Sequence, residues 1–114
     1  MKGLVYNNGV LVGSIEKDEN GHYMFQYDDG YFANKQNPPV SLTLPKTQKE
    51  YRSEKMFPFF YGLLSEGINK DIQCRLYKID ENDDFTRLLL TTSHDTIGSI
   101  TIKPEDDELF RLLY

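Results

Sequence analysis

A chain of 114 residues with 39% hydrophobic side chains is long enough to bury one core without metals or disulfides. No stretch approaches the ~20 consecutive apolar residues of a membrane-spanning helix, and the N-terminus lacks the apolar centre of a signal peptide. A net charge of −5, from 13 basic and 18 acidic residues, argues against the basic surface that direct nucleic-acid binding requires.

Strands are predicted at 3–8 and 10–16, joined by Asn8-Gly9, a dipeptide suited to the positive φ angles of a type I′ turn. In such a hairpin Val5 faces Val12 and Tyr6 faces Leu11, so both faces of the ribbon carry apolar side chains. Beyond the polar turn "KDENG", Tyr23, Phe25 and Tyr27 alternate with His22, Met24 and Gln26, the period of a third strand at 22–28. "DDGYFANKQNPP" is expected to be a loop, because Pro38-Pro39 suits neither a helix nor a central strand. Val40, Leu42 and Leu44 then alternate, which predicts a strand at 40–44 closed by Pro45. The polar "PKTQKEYRSEK" is expected to be an exposed loop.

Helical spacing takes over at Phe57. Phe59, Phe60, Leu63 and Leu64 form one stripe of a short helix near 56–64, interrupted by Gly67. Ile68, Ile72, Leu76 and Ile79 predict a second amphipathic helix near 68–78. "DENDD" suits a helix N-terminus and precedes a third helix near 83–92, with Phe85, Leu88 and Leu89 as its stripe. "TIGSITI" returns to strand at 97–102. The closing "LFRLLY" (109–114) is expected either as a short helix on the domain's own core or as an apolar patch for a partner.

The expected fold is a single α+β domain over 1–114, a mainly antiparallel sheet packed against about three helices. The core is expected to draw on Leu4, Tyr6, Leu11, Phe25, Leu42, Phe60, Leu63, Ile72, Leu76, Phe85, Leu89 and Ile100.

Catalytic chemistry is not legible. His22 and His94 have no companions at metal-ligand spacing. Cys74 stands beside Arg75 without a nucleophile motif, and as the one cysteine it fits a reducing cytoplasm. The acidic pairs Asp28-Asp29, Asp83-Asp84 and Asp106-Asp107 read as turn and cap residues. No Gly-rich phosphate loop and no kinase signature is present. The expectation is a protein without enzymatic activity, cofactor or metal.

Taken in order, "VYNNGVLVGSI", "GHYMFQYDDGYFAN", "PPVSLTLP", "FPFFYGLLSEG" and "DDFTRLLLTTSHDTIGSITIKPEDDE" resemble the N-terminal subdomain of HipA-type toxin kinases. The resemblance runs from about residue 3 to residue 108, and it rests on colinearity rather than on one motif. In that family the subdomain precedes a serine/threonine kinase core that binds ATP and magnesium, and this sequence ends before any kinase residue. The resemblance therefore implies a stand-alone, HipS-like antitoxin that binds and inhibits a HipT- or HipA-like kinase in a split toxin–antitoxin system. It leaves room for a HipB-like DNA-binding protein in a larger complex. The alternative is the N-terminal scaffold of a one-chain HipA-like kinase. Departures from the family pattern are Ser65 in place of proline, Ile68 where a bulky group such as Trp is frequent, and Ser93-His94-Asp95 in place of Gly-Arg-Asp.

The break after the first helix is the candidate contact. A glycine-hinged turn between two anchored helices holds its tip rigidly and so loses little freedom on binding. Ser65, Glu66, Gly67, Ile68 and Asn69 are expected to present the surface that meets the kinase, with Ile68 as an apolar plug and Glu66 directed to a basic group of the nucleotide site.

Overall fold

The computed structural model describes residues 2–64, 68–80, 82–91 and 100–105. Its centre is one five-stranded antiparallel sheet. In chain order the strands are β1 (Lys2–Asn7), β2 (Val10–Lys17), β3 (Tyr23–Tyr27), β4 (Glu50–Ser53) and β5 (Ile100–Pro104), and in space they run β4-β3-β2-β1-β5. The helices are α1 (Asp29–Ala33), α2 (Pro58–Tyr61), α3 (Ile68–Tyr77) and α4 (Asp84–Thr91). The expected α+β class is the observed one.

The hairpin turns where the sequence places it, with Asn8 at φ 51° and Gly9 at φ 82°. Its register differs from expectation in one respect. Tyr6 faces Leu11, but a bulge between Val5 and Tyr6 sets Val5 opposite Gly13 instead of Val12. Val5, Val12, Ile15, Phe25, Tyr27 and Ile102 are thereby buried on the inner face of the sheet. Leu4, Tyr6 and Leu11, expected in the core, lie half-buried on the outer face, because successive side chains of a strand point to opposite sides.

The aromatic residues of β3 receive the helices. Phe25 meets Phe60 of α2 at 5.5 Å between ring centroids, and Tyr23 meets Phe85 of α4 at 5.8 Å. The helix expected over 56–64 is shorter, one turn begun by Pro58, but Phe57, Phe60 and Leu64 are buried as its anchors while Leu63 is half-buried. Asp83 caps α4, accepting from the Thr86 N–H at 3.1 Å and the Thr86 hydroxyl at 2.7 Å. Phe85, Leu88 and Leu89 are buried as expected, and Leu89 lies over Gly3 so closely that a Cβ there would stand 2.4 Å from its Cδ2. Arg87, not singled out in the sequence, is also fully buried, with Nη1 3.2 Å from the Asp84 carboxylate.

Three expectations are corrected. Residues 40–44 form a turn, not a strand. The strand that joins β3 is β4, from the stretch expected to be loop, and it pairs Phe25 with Tyr51. Its charged Glu50 and Arg52 protect an exposed sheet edge from further pairing. Residues 29–33, also expected to be loop, form α1, because Asp28 accepts the Tyr31 N–H and caps a short turn.

The third correction concerns α3. The helix is present, but Ile72 and Leu76, expected in the core, are 49% and 70% exposed. Among the stripe residues whose side chains are described, Ile79 is the buried one, placed there after Lys78 turns through φ 55° and the Ile79 N–H donates to the Cys74 carbonyl at 2.9 Å. Residues 97–99, His94, and the closing segment 109–114 lie outside the described residues.

Candidate partner-binding surface

Of the expected contact residues, Ser65, Glu66 and Gly67 lie outside the described residues. Ile68 and Asn69 open α3 directly after them. The stretch is bracketed by the buried Leu64 on one side and by α3, packed against α4, on the other. Ile72 and Leu76, one helical turn apart, continue along α3 with apolar side chains in water.

A second surface feature escaped the sequence reading. Tyrosines from three elements converge on the loop 38–45. The Tyr27 hydroxyl at the end of β3 donates to the Leu44 carbonyl and accepts the Val40 N–H at 3.0 Å. Tyr31 of α1 donates to the Pro38 carbonyl at 2.6 Å, and Tyr51 of β4 donates to the Pro45 carbonyl. The Tyr27 and Tyr31 rings lie parallel with centroids 6.1 Å apart. Within the loop, Ser41 and Thr43 exchange a hydroxyl bond at 2.9 Å, and the Ser41 hydroxyl also accepts the Thr43 N–H at 3.2 Å. Leu44 is buried, and Leu42, expected in the core, stands 94% exposed at the tip. The signal lay in the sequence: Ser-x-Thr between prolines favours local side-chain bonds over a strand ladder.

Burial raises the Tyr27 phenol above its ordinary pKa of 10.0, opposed in part by the Val40 N–H, and burial alone raises Tyr31. A folded pKa above the unfolded one contributes stability that is complete below pH 10 and is lost as pH rises through the folded value. The urea midpoint is therefore expected to fall above pH 10 more steeply in the native chain than in Tyr27→Phe. Equal slopes would mean that the loop clamp is insensitive to phenol ionisation.

An open groove of about 490 Å³ along β2, β3 and β4 is lined by Glu16, Asp18, His22, Tyr23, Met24, Arg52, Ser53 and Glu54. Its chemistry is that of a turn. Asp18 accepts backbone N–H groups of His22 and Asn20 at 2.9 Å, and the His22 bond leads in lowering its pKa. Cys74 is half-buried on α3. Among the described residues no group of three or more His, Cys, Asp and Glu is placed to hold a metal ion, and no helix is long and apolar enough to cross a membrane.

Residues 3–103 match the family model of the HipA N-terminal domain. An uncharacterized Haemophilus influenzae protein is 33% identical over 103 residues, covering 90% of this chain and 92% of that protein. A Sinorhizobium fredii protein, Y4mE, which carries a kinase name, is 29% identical over 104 residues, covering 91% of this chain but only 24% of its own length. Among solved structures, the N-terminal domain of HipA toxin superposes with a TM-score of 0.64 at 29% identity, covering 92% of this chain and 94% of that one.

Proposed function

The chain belongs to the HipA N-terminal domain family, and on that premise we propose that it is a non-catalytic regulatory subunit, an antitoxin that binds and inhibits a HipA- or HipT-like serine/threonine kinase. The observation that carries this reading is the pair of settings in which the domain occurs among relatives. It covers 92% of the Haemophilus protein and 24% of the kinase-named Y4mE. The occurrence of the domain both nearly alone and as one quarter of such a chain supports a surface suited to a kinase body, whether or not a peptide bond joins them.

The reading places the protein in the cytoplasm, with no cofactor of its own and no direct contact with nucleic acid. A HipB-like protein would supply DNA binding in a larger complex. Ser65, Glu66, Gly67, Ile68 and Asn69 are proposed to face the kinase, with Glu66 near a basic group of its nucleotide site.

The test mixes purified chain with a HipA-type kinase that lacks this domain and follows autophosphorylation with ATP and magnesium. Phosphate transfer is expected to stop at stoichiometric chain, to recover partly with Glu66→Ala, and to be absent from the chain alone. An unchanged kinase rate, with no complex on gel filtration, would overturn the reading. The second reading, the N-terminal scaffold of a one-chain kinase, draws support from the 24% coverage of Y4mE. A reading frame that continues into a kinase core would favour it.

A further inference from the structure

An isolated leucine at a protein surface is ordinary. Leu42 differs in how it is held. A surface loop is commonly the mobile part of a fold, yet three tyrosine hydroxyls from β3, α1 and β4 bind this one through the backbone of Pro38, Val40, Leu44 and Pro45. The Lys46 ammonium ties its base, donating to the Asn34 carbonyl at 2.7 Å and to the Asn37 carbonyl at 3.0 Å. These bonds bury Leu44 and leave Leu42 94% exposed, so the framework fixes a side chain that contributes nothing to the core.

The stretch that carries Leu42, between Lys35 and Lys46, is also uncharged. Residues 36–45, "QNPPVSLTLP", contain no Asp, Glu, Lys or Arg in a chain where 27% of residues are charged. Depletion of charge around an apolar centre is the composition of an interface core. Rigid presentation lowers the ordering cost of association, and a buried, well-held side chain is the usual form of a dominant contact.

We propose that Leu42, set out on its tyrosine-clamped turn, is the apolar anchor by which this domain seats in an apolar pocket of a HipA-type kinase body. The inference rests on the kinase-binding reading above and adds a contact residue that is not among 65–69. The occupant is argued from Y4mE, a kinase-named relative in which the matched domain is 24% of the length and is joined to the rest of the chain.

The experiment measures the Kd of the purified chain for a HipA-type kinase lacking this domain, using wild type, Leu42→Ser and Val10→Ser. Val10, 56% exposed on the hairpin, serves as a second exposed apolar site. Leu42→Ser is expected to weaken binding about thirtyfold or more, with an unchanged melting temperature, while Val10→Ser binds like wild type. If wild type binds and Leu42→Ser binds within about twofold of it, the anchor is overturned and the kinase-binding reading stands. Failure of the wild type to bind overturns both. Light scattering covers the other occupant: self-association that Leu42→Ser abolishes, with kinase binding intact, would assign the anchor to a second copy and refute the proposal.

Discussion

Phe60→Ala is expected to remove about 3–5 kcal/mol of folding stability. The side chain is fully buried and lies at the junction of three rings, Phe25 at 5.5 Å, Phe57 at 6.3 Å and Phe59 at 5.1 Å between centroids. Truncation loses the transfer energy of a phenyl group and opens a cavity between β3 and α2 that a single helical turn cannot collapse to fill. Domains of this size have about 5–15 kcal/mol in total, so the variant should retain a small fraction of that margin. Urea unfolding followed by circular dichroism measures the change. Tyr61→Ala, at a position 45% exposed on the same turn, should shift stability by no more than about 1 kcal/mol. Similar losses for the two variants would show that α2 does not dock through Phe60.

Gly13→Val is expected to cost at least about 3 kcal/mol, enough to disrupt the β2–β3 ladder. Where Gly13 pairs with Tyr27, β2 and β3 approach so closely that a Cβ on Gly13 would stand 2.2 Å from the Gln26 carbonyl oxygen and 3.0 Å from the Tyr27 Cα. Backbone atoms cannot rotate away as a side-chain terminus can, so the strands must separate and Tyr27 must move with them. The tyrosine clamp on the 38–45 loop should loosen in consequence. Gly9 makes the comparison. Its φ of 82° penalises any side chain, but beyond its two chain neighbours no atom lies within 4 Å of the added Cβ. Gly9→Ala should therefore cost only about 1–2 kcal/mol. Chemical denaturation of both variants ranks them, and a milder effect at Gly13 than at Gly9 would contradict the close approach of the strands.

The hairpin, the aromatic face of β3, the Asp83 cap and the Phe85–Leu88–Leu89 stripe were all legible because each depends on neighbours within a few residues. Asn8-Gly9 accepts positive φ wherever it occurs, and a carboxylate before a helix caps it whatever packs alongside. The contact surface was less legible. Of the five residues expected to carry it, the fold described here reaches only the backbone of Ile68 and Asn69. The tyrosine-clamped loop was missed because its three hydroxyl donors are spread over Tyr27, Tyr31 and Tyr51, and nothing local brings them together.

The sequence by itself determined the hairpin, β3, the stripe of α4, the α+β class and, through colinear motifs, the family. The tertiary structure decided that residues 50–53, which have no strand period, join the edge of β3 in place of 40–44. Val40, Leu42 and Leu44 have the better period, but Pro38, Pro39 and Pro45 bracket them and Ser41 bonds the backbone locally, so Tyr51 and its neighbours take the place. The tertiary fold also decided the direction in which each apolar stripe faces. Ile72 and Leu76 share a helix face by their spacing, yet spacing only states that two side chains point the same way. Whether core or water lies in that direction depends on where α3 is set against the sheet and α4, a relation between distant segments that no local period encodes.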